Sequence, residues 1–137
     1  MKKLILIIVI TIALLLTTVT NGQSLAYKLA IIELTVMDYG VFSGKNLYDL
    51  ESYFSSLFLR LDEYYILDIK TIADYTAHTQ NKLKTYGVKT SMLKIMNTAM
   101  KIEYNKISYK TYCEHYYALK KRRFTSNQIA LRINMQL

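Results

Sequence analysis

The chain has 137 residues, 52% of them hydrophobic and 20% charged, and a net charge of +8. That balance is too apolar for a disordered chain and too short for more than one ordinary domain. There is no proline, and only four glycines and one cysteine, which argues against a turn-rich all-β fold and excludes an internal disulfide framework.

The chain opens on MKKLILIIVITIALLLTTV. Lys2 and Lys3 form a positive start, and Leu4 to Leu16 make an uncharged apolar run of thirteen residues. This is the length of a signal-peptide core and is short for a bilayer crossing. The expectation is an export signal over residues 1–22, cut after Gly22, or after Ala26, where Thr20 or Ser24 supplies the small residue two positions earlier. A lipid-anchored start would need a cysteine at the cut, and the single cysteine is Cys113. An uncleaved anchor is the competing reading, since extending the run to Val19 gives sixteen residues that a thinned bilayer accepts. Either way the lysines stay cytoplasmic and the remainder faces outside: periplasmic or extracellular if cut, membrane-anchored if not.

Removal of residues 1–22 leaves residues 23–137 as one domain, 115 residues long. Leu25 to Tyr39 reads as a first helix, with Leu25, Leu29, Ile32, Val36 and Tyr39 on one face, stopped at Gly40. After Gly44, Asn46 caps a second helical stretch. Its apolar stripe runs through Leu47, Leu50, Phe54, Leu57, Leu61, Tyr65, Ile69, Ile72, Thr76, Thr79, Leu83 and Tyr86. A straight helix of that length would span roughly 60 Å, too long for the domain, so a break is expected near Asp62, with Asp62 and Glu63 opening a new helix.

Gly87 ends this section, and Thr90 or Ser91 caps a helix to about Lys106 bearing Met92, Ile95, Met96 and Ala99 on one face. Met92, Met96 and Met100 are expected to fill gaps in the core rather than line a pliable binding surface. Ser108 caps Tyr109 to Arg123, with Tyr109, Tyr112, Cys113, Tyr116 and Leu119 on one face, and Thr125 with Gln128 has capping-box spacing for a final helix through Ile129, Ala130 and Ile133. The fold class is therefore all-α, a compact bundle of about five or six helices.

Catalytic candidates are sparse. Cys113 and His115 lie two apart and point in different directions on a helix. Asp74 and His78 share a helical face, as many pairs on solvated helices do. With two histidines and one cysteine, no metal site, no cofactor and no enzymatic activity is expected. Cys113 reads as a buried small hydrophobe, the alternative being an exposed thiol that forms an intermolecular disulfide in a homodimer.

Charge is segregated. Residues 23–100 carry eight basic and eight acidic side chains, whereas residues 101–137 carry eight basic and two acidic. The basic residues of that last third are interleaved with tyrosines, and the expected binding surface comprises Lys110, Tyr112, Tyr116, Tyr117, Lys120, Lys121, Arg122, Arg123 and Phe124. Cations draw acidic groups while aromatic rings offer flat contact area at low entropic cost. The expected function is an exported binding protein acting through this surface on a protein partner, inhibitor-like or an accessory of an envelope machine. An anionic lipid or glycolipid surface is the alternative. The segment KKRRFTSNQIALRI looks loosely like the turn and second helix of a helix-turn-helix. Any capped helix after a basic run gives that pattern, and export separates the chain from chromosomal DNA, so nucleic acid is not expected as a partner.

Overall fold

The computed structural model describes residues 24–37 and 46–136. The expected export segment and the connection through Gly40 and Gly44 lie outside the described residues. Among those described, six helices and no strand are present: α1 (Leu25–Met37), α2 (Leu47–Tyr65), α3 (Ile69–Thr85), α4 (Met92–Ala99), α5 (Tyr109–Lys121) and α6 (Ser126–Gln136). The described residues are all-helical and pack as a bundle.

Helix starts follow local chemistry. The Ser24 hydroxyl accepts the Tyr27 N–H at 3.1 Å, and Asn46 accepts the Asp49 N–H at 2.9 Å. Ser91 and Ser108 take the N–H of Lys94 and Thr111 at 3.4 and 3.1 Å. Thr125 and Gln128 form the reciprocal pair, with Gln128 N–H donating to Thr125 Oγ1 at 3.3 Å and Thr125 N–H donating to Gln128 Oε1 at 2.9 Å. Each cap satisfies donors that the first helical turn leaves without a partner.

The long apolar stripe is broken, but not at Asp62. Asp62 and Glu63 stay within α2 because Leu61 and Tyr65 still face the core, Leu61 with no exposure. The chain turns at Ile66, which adopts a left-handed conformation (φ 52°, ψ 53°), and Asp68 opens α3 by accepting the Thr71 N–H at 2.9 Å and the Thr71 hydroxyl at 2.7 Å. The helix expected to reach Lys106 ends at Ala99, and the chain then runs through turns in which Asn105 has φ 59°. Likewise α5 ends at Lys121 rather than Arg123, which itself takes φ 68°.

Helix α1 packs along α2, α3 packs along α5, and the short α4 touches α2, α3, α5 and α6. Six of the eight residues of α4 are buried, leaving Lys94 and Asn97 facing out. Met92 and Met96 are fully buried, so they are core filler, and Met100 is half-buried.

Two polar devices hold α4. At its start, the Glu33 carboxylate of α1, itself fully buried, accepts the N–H of Met92 at 3.1 Å and of Leu93 at 3.0 Å, the Gln80 amide at 3.0 Å and the Ser91 hydroxyl at 3.2 Å. Burial pushes this carboxyl above the usual carboxylate range, and the four donors pull against that. Gln80 Nε2 also donates to the Thr90 carbonyl at 3.0 Å. At the other end, the Tyr65 hydroxyl donates to the Ala99 carbonyl at 2.5 Å, and Tyr64 donates to the Ile102 carbonyl.

Those tyrosines begin a ladder through the core. Ring centroids lie 5.2 Å apart for Tyr64 and Tyr65, 5.1 Å for Tyr65 and Tyr109, 5.7 Å for Tyr109 and Tyr112, and 5.9 Å for Tyr112 and Tyr116. These are tilted or edge contacts of the kind aromatic quadrupoles favour. Tyr112 donates to the Ile95 carbonyl at 2.5 Å, Tyr109 shares a hydrogen bond with Thr76 at 2.7 Å, and Tyr116 lies 3.3 Å from the Thr90 hydroxyl.

Candidate functional site

The expected binding surface divides in two when folded. Tyr112 and Tyr116 have no exposure, which corrects their assignment to a contact surface. They share the inward face of α5 with Tyr109, and their hydroxyls are committed to Ile95 and Thr90. Lys101 and Lys106 are also engaged inside the chain, Lys101 with Asn127 at 2.7 Å and Lys106 with Glu103 at 3.2 Å and the Asn134 carbonyl.

The remaining residues sit outside, and the bundle adds Lys82 of α3 and Tyr86 at its C-terminal cap, which spacing places on the apolar stripe but which is 58% exposed. Lys82 lies 4.1 Å above the Tyr117 ring, and Lys121 lies 4.7 Å from the Tyr86 ring centre and 4.9 Å from that of Tyr117. Lys82 of α3 and Tyr86 at its C-terminal cap are four apart, as Tyr117 and Lys121 are on α5. Spacing of four puts each pair on one face, and the α3–α5 packing brings the two faces together. Both pairs were legible, but nothing local shows that they meet.

A second cluster lies beyond the end of α5. Phe124 is half-buried, with the Arg132 guanidinium at 4.2 Å and that of Arg122 at 5.3 Å from its ring centre. Contacts of this kind contribute about 0.5–1 kcal/mol each at exposed sites. Arg122 and Arg123 are exposed, and Lys110 is exposed on α5. Lys120 is half-buried and donates to the Phe124 carbonyl at 3.4 Å. Burial, and then the cations of Lys94 and Arg123, hold its ammonium below the ordinary lysine value.

Among the described residues, none of Lys82, Lys110, Lys120, Lys121, Arg122, Arg123 and Arg132 forms an ion pair, whereas Lys70 pairs with Asp74 at 3.0 Å and Lys106 with Glu103 at 3.2 Å. Four of these cations, Lys82, Lys121, Arg122 and Arg132, are held over aromatic rings, and none of the seven is neutralised by an ion pair. The surface can attract carboxylate or phosphate groups and offer ring edges beside them.

Asp74 and His78 do not form a pair. Asp74 accepts from Lys70, and His78 is exposed at the rim of a groove of about 190 Å³ that also includes Tyr75, Lys110, Glu114 and Tyr117. Cys113 forms part of the floor of this groove, is 4% exposed, and has its thiol pushed up to about 12, chiefly by burial. It matches the buried small hydrophobe. No group of three His, Cys, Asp or Glu residues that could hold a metal ion occurs among the described residues. No helix among them is long and apolar enough to cross a membrane. Compared with known protein families, characterised proteins and solved structures, the chain matches none.

Proposed function

We propose that the protein is an exported helical binding protein that docks an acidic face of a protein partner on the basic aromatic surface of α3, α5 and the α5–α6 turn. The observation that carries this reading is the row of unpaired cations seated on Tyr86, Tyr117 and Phe124. Exposed charges that served only solubility would gain from interspersed carboxylates, and this face has few. Aromatic rings beneath the cations fix their positions, so a partner pays less entropy to order them. An anionic lipid surface fits less well, because Tyr117 and Phe124 lie half-buried beneath the cations rather than projecting beyond them.

For an exported chain, the start of α1 favours cleavage after Gly22 over cleavage after Ala26. The Ser24 hydroxyl caps α1 and donates to Glu51 at 3.0 Å, and Ala26 is 4% exposed in the core. A cut after Ala26 would remove both. Intact mass of the exported chain tests this directly.

The docking test is charge reversal of Lys120, Lys121, Arg122 and Arg123 to glutamate, with capture from an envelope extract compared between parent and variant. Capture should fall at least tenfold and the parent's capture should weaken as salt rises, while helix content by circular dichroism stays the same. Equal capture by a folded variant refutes the reading. Binding of the parent to phosphatidylglycerol vesicles but to no protein would transfer the surface to the lipid reading.

A further inference from the structure

Outside the α3–α5 surface, α2 and α4 enclose a groove of about 310 Å³ whose rim carries Tyr53, Ser56 and Arg60 from α2 and Lys94 and Asn97 from α4. Leu57 and Leu93, 5% and 7% exposed, form an apolar floor. Lys94 and Asn97 are the two residues that α4 leaves facing out, and both turn into this groove. Tyr53, Ser56 and Arg60 fall at steps of three and four, which places them on one face of α2.

The side chains of Ser56, Arg60, Lys94 and Asn97 make no hydrogen bond or ion pair with another described residue. Two cations therefore share one concavity without a carboxylate. Glu33, which holds Ser91 at the groove's edge, is buried with both oxygens occupied by Gln80, Ser91, Met92 and Leu93. Lys94 adds to the positive field because it also lies close enough to Lys120 to weigh on its ammonium.

We infer that this groove is an anion site for a phosphoryl group. A guanidinium presents a planar fork of donors and an ammonium a point charge, and together they match the two charges and three oxygens of a phosphate monoester. The Ser56 hydroxyl and Asn97 amide supply neutral donors at the rim. Tyr53, 54% exposed, offers a flat face for a sugar or ring attached to the phosphate. The volume lies at the small end of ligand pockets, which suits a phosphorylated sugar or headgroup rather than a larger ligand. A carboxylate would neutralise only one of the two cations.

The test is a chemical-shift titration of the full-length chain in neutral detergent with inorganic phosphate, against chloride at equal ionic strength. Phosphate should shift the Asn97 amide and the signals of Arg60 and Lys94 saturably. R60A and K94A should each weaken binding about tenfold or more, R60Q should do so without loss of volume, and K94R should retain it. Glycerol 3-phosphate and vesicles of phosphatidylcholine with phosphatidic acid then separate a soluble monoester from a lipid headgroup. Whichever responds and loses its response in R60A names the source. Equal shifts with phosphate and chloride, or binding by R60A and K94A within twofold of the parent, overturn the inference. K121E alters the α3–α5 surface and should leave phosphate binding unchanged, so failure here and failure of partner docking are separable.

Discussion

Glu33 sets the position of α4, and its removal has a cost that follows from its partners. In Glu33→Ala the Ser91 hydroxyl can rotate, and the Gln80 amide keeps the Thr90 carbonyl at 3.0 Å. The N–H groups of Met92 and Leu93 have no such recourse, because they belong to the first turn of α4 and are buried. Each stranded buried donor costs about 1–3 kcal/mol, so the pair and the lost packing together amount to about 3–5 kcal/mol. That is a large part of the 5–15 kcal/mol typical of a domain. Glu33→Gln keeps the volume and one acceptor oxygen but faces the other backbone donor with an amide N–H, and should cost about 1–3 kcal/mol. The raised carboxyl adds a pH signature. The folded chain holds the Glu33 proton at pH values where the unfolded chain has released it, so the native state binds more protons above pH 4.5, the ordinary value. Stability from this group is thus fully present below that value and declines as pH rises through the raised one. Urea unfolding followed by circular dichroism at several pH values measures both effects, and the difference between parent and Glu33→Gln isolates Glu33 from other carboxylates. A Glu33→Ala variant within about 1 kcal/mol of the parent, or identical pH slopes for parent and Glu33→Gln, would refute the reasoning.

Three further outcomes are expected. Ile66 is left-handed and 79% exposed, so Ile66→Gly removes a steric cost without loss of packing and should raise stability by about 1 kcal/mol in the same unfolding assay. Thr125→Ala breaks the reciprocal cap of α6 and should cost about 1 kcal/mol, read as a lower melting temperature, with faster amide exchange confined to the first turn of α6. Cys113, buried and with its thiol pushed up to about 12, should react with an aromatic disulfide reagent at neutral pH only as fast as the bundle opens; non-reducing electrophoresis should show monomer, and ready formation of a disulfide dimer would contradict its burial.

How much was legible in the sequence depends on how local the cause is. The caps at Asn46, Ser91, Ser108 and Thr125 were readable because a cap and its N–H partner lie within three residues. The buried stripes of α2, α3 and α5 followed from spacing alone. The break was misplaced because Asp62 and Asp68 are equally good caps on paper, and the choice rests on Leu61 and Tyr65 remaining in the core. The early end of α4 has no glycine or proline to announce it: its cap, Met100, keeps right-handed backbone, and the left-handed turn comes only later, at Asn105. Tyr112 and Tyr116 were assigned outward for their chemistry although their spacing put them beside Cys113, and spacing won. Glu33 was invisible in its role because its partners lie 47 to 60 residues away. Of the candidate surface, the C-terminal cations were evident from charge counting, while Lys82, Tyr86, Arg60 and Lys94 joined their neighbours only through packing.

The tyrosine ladder also sets an alkaline limit. Burial pushes the phenols of Tyr65, Tyr109, Tyr112 and Tyr116 upward, so the folded chain retains protons that the unfolded chain sheds near pH 10. Stability contributed by these groups is whole below that value and drains away as the medium becomes more basic. Ionisation of these four of the thirteen tyrosines then accompanies opening of the bundle, and their share of the phenolate absorbance reports it in a chain that has no tryptophan. The core carries its own optical gauge of whether it is closed.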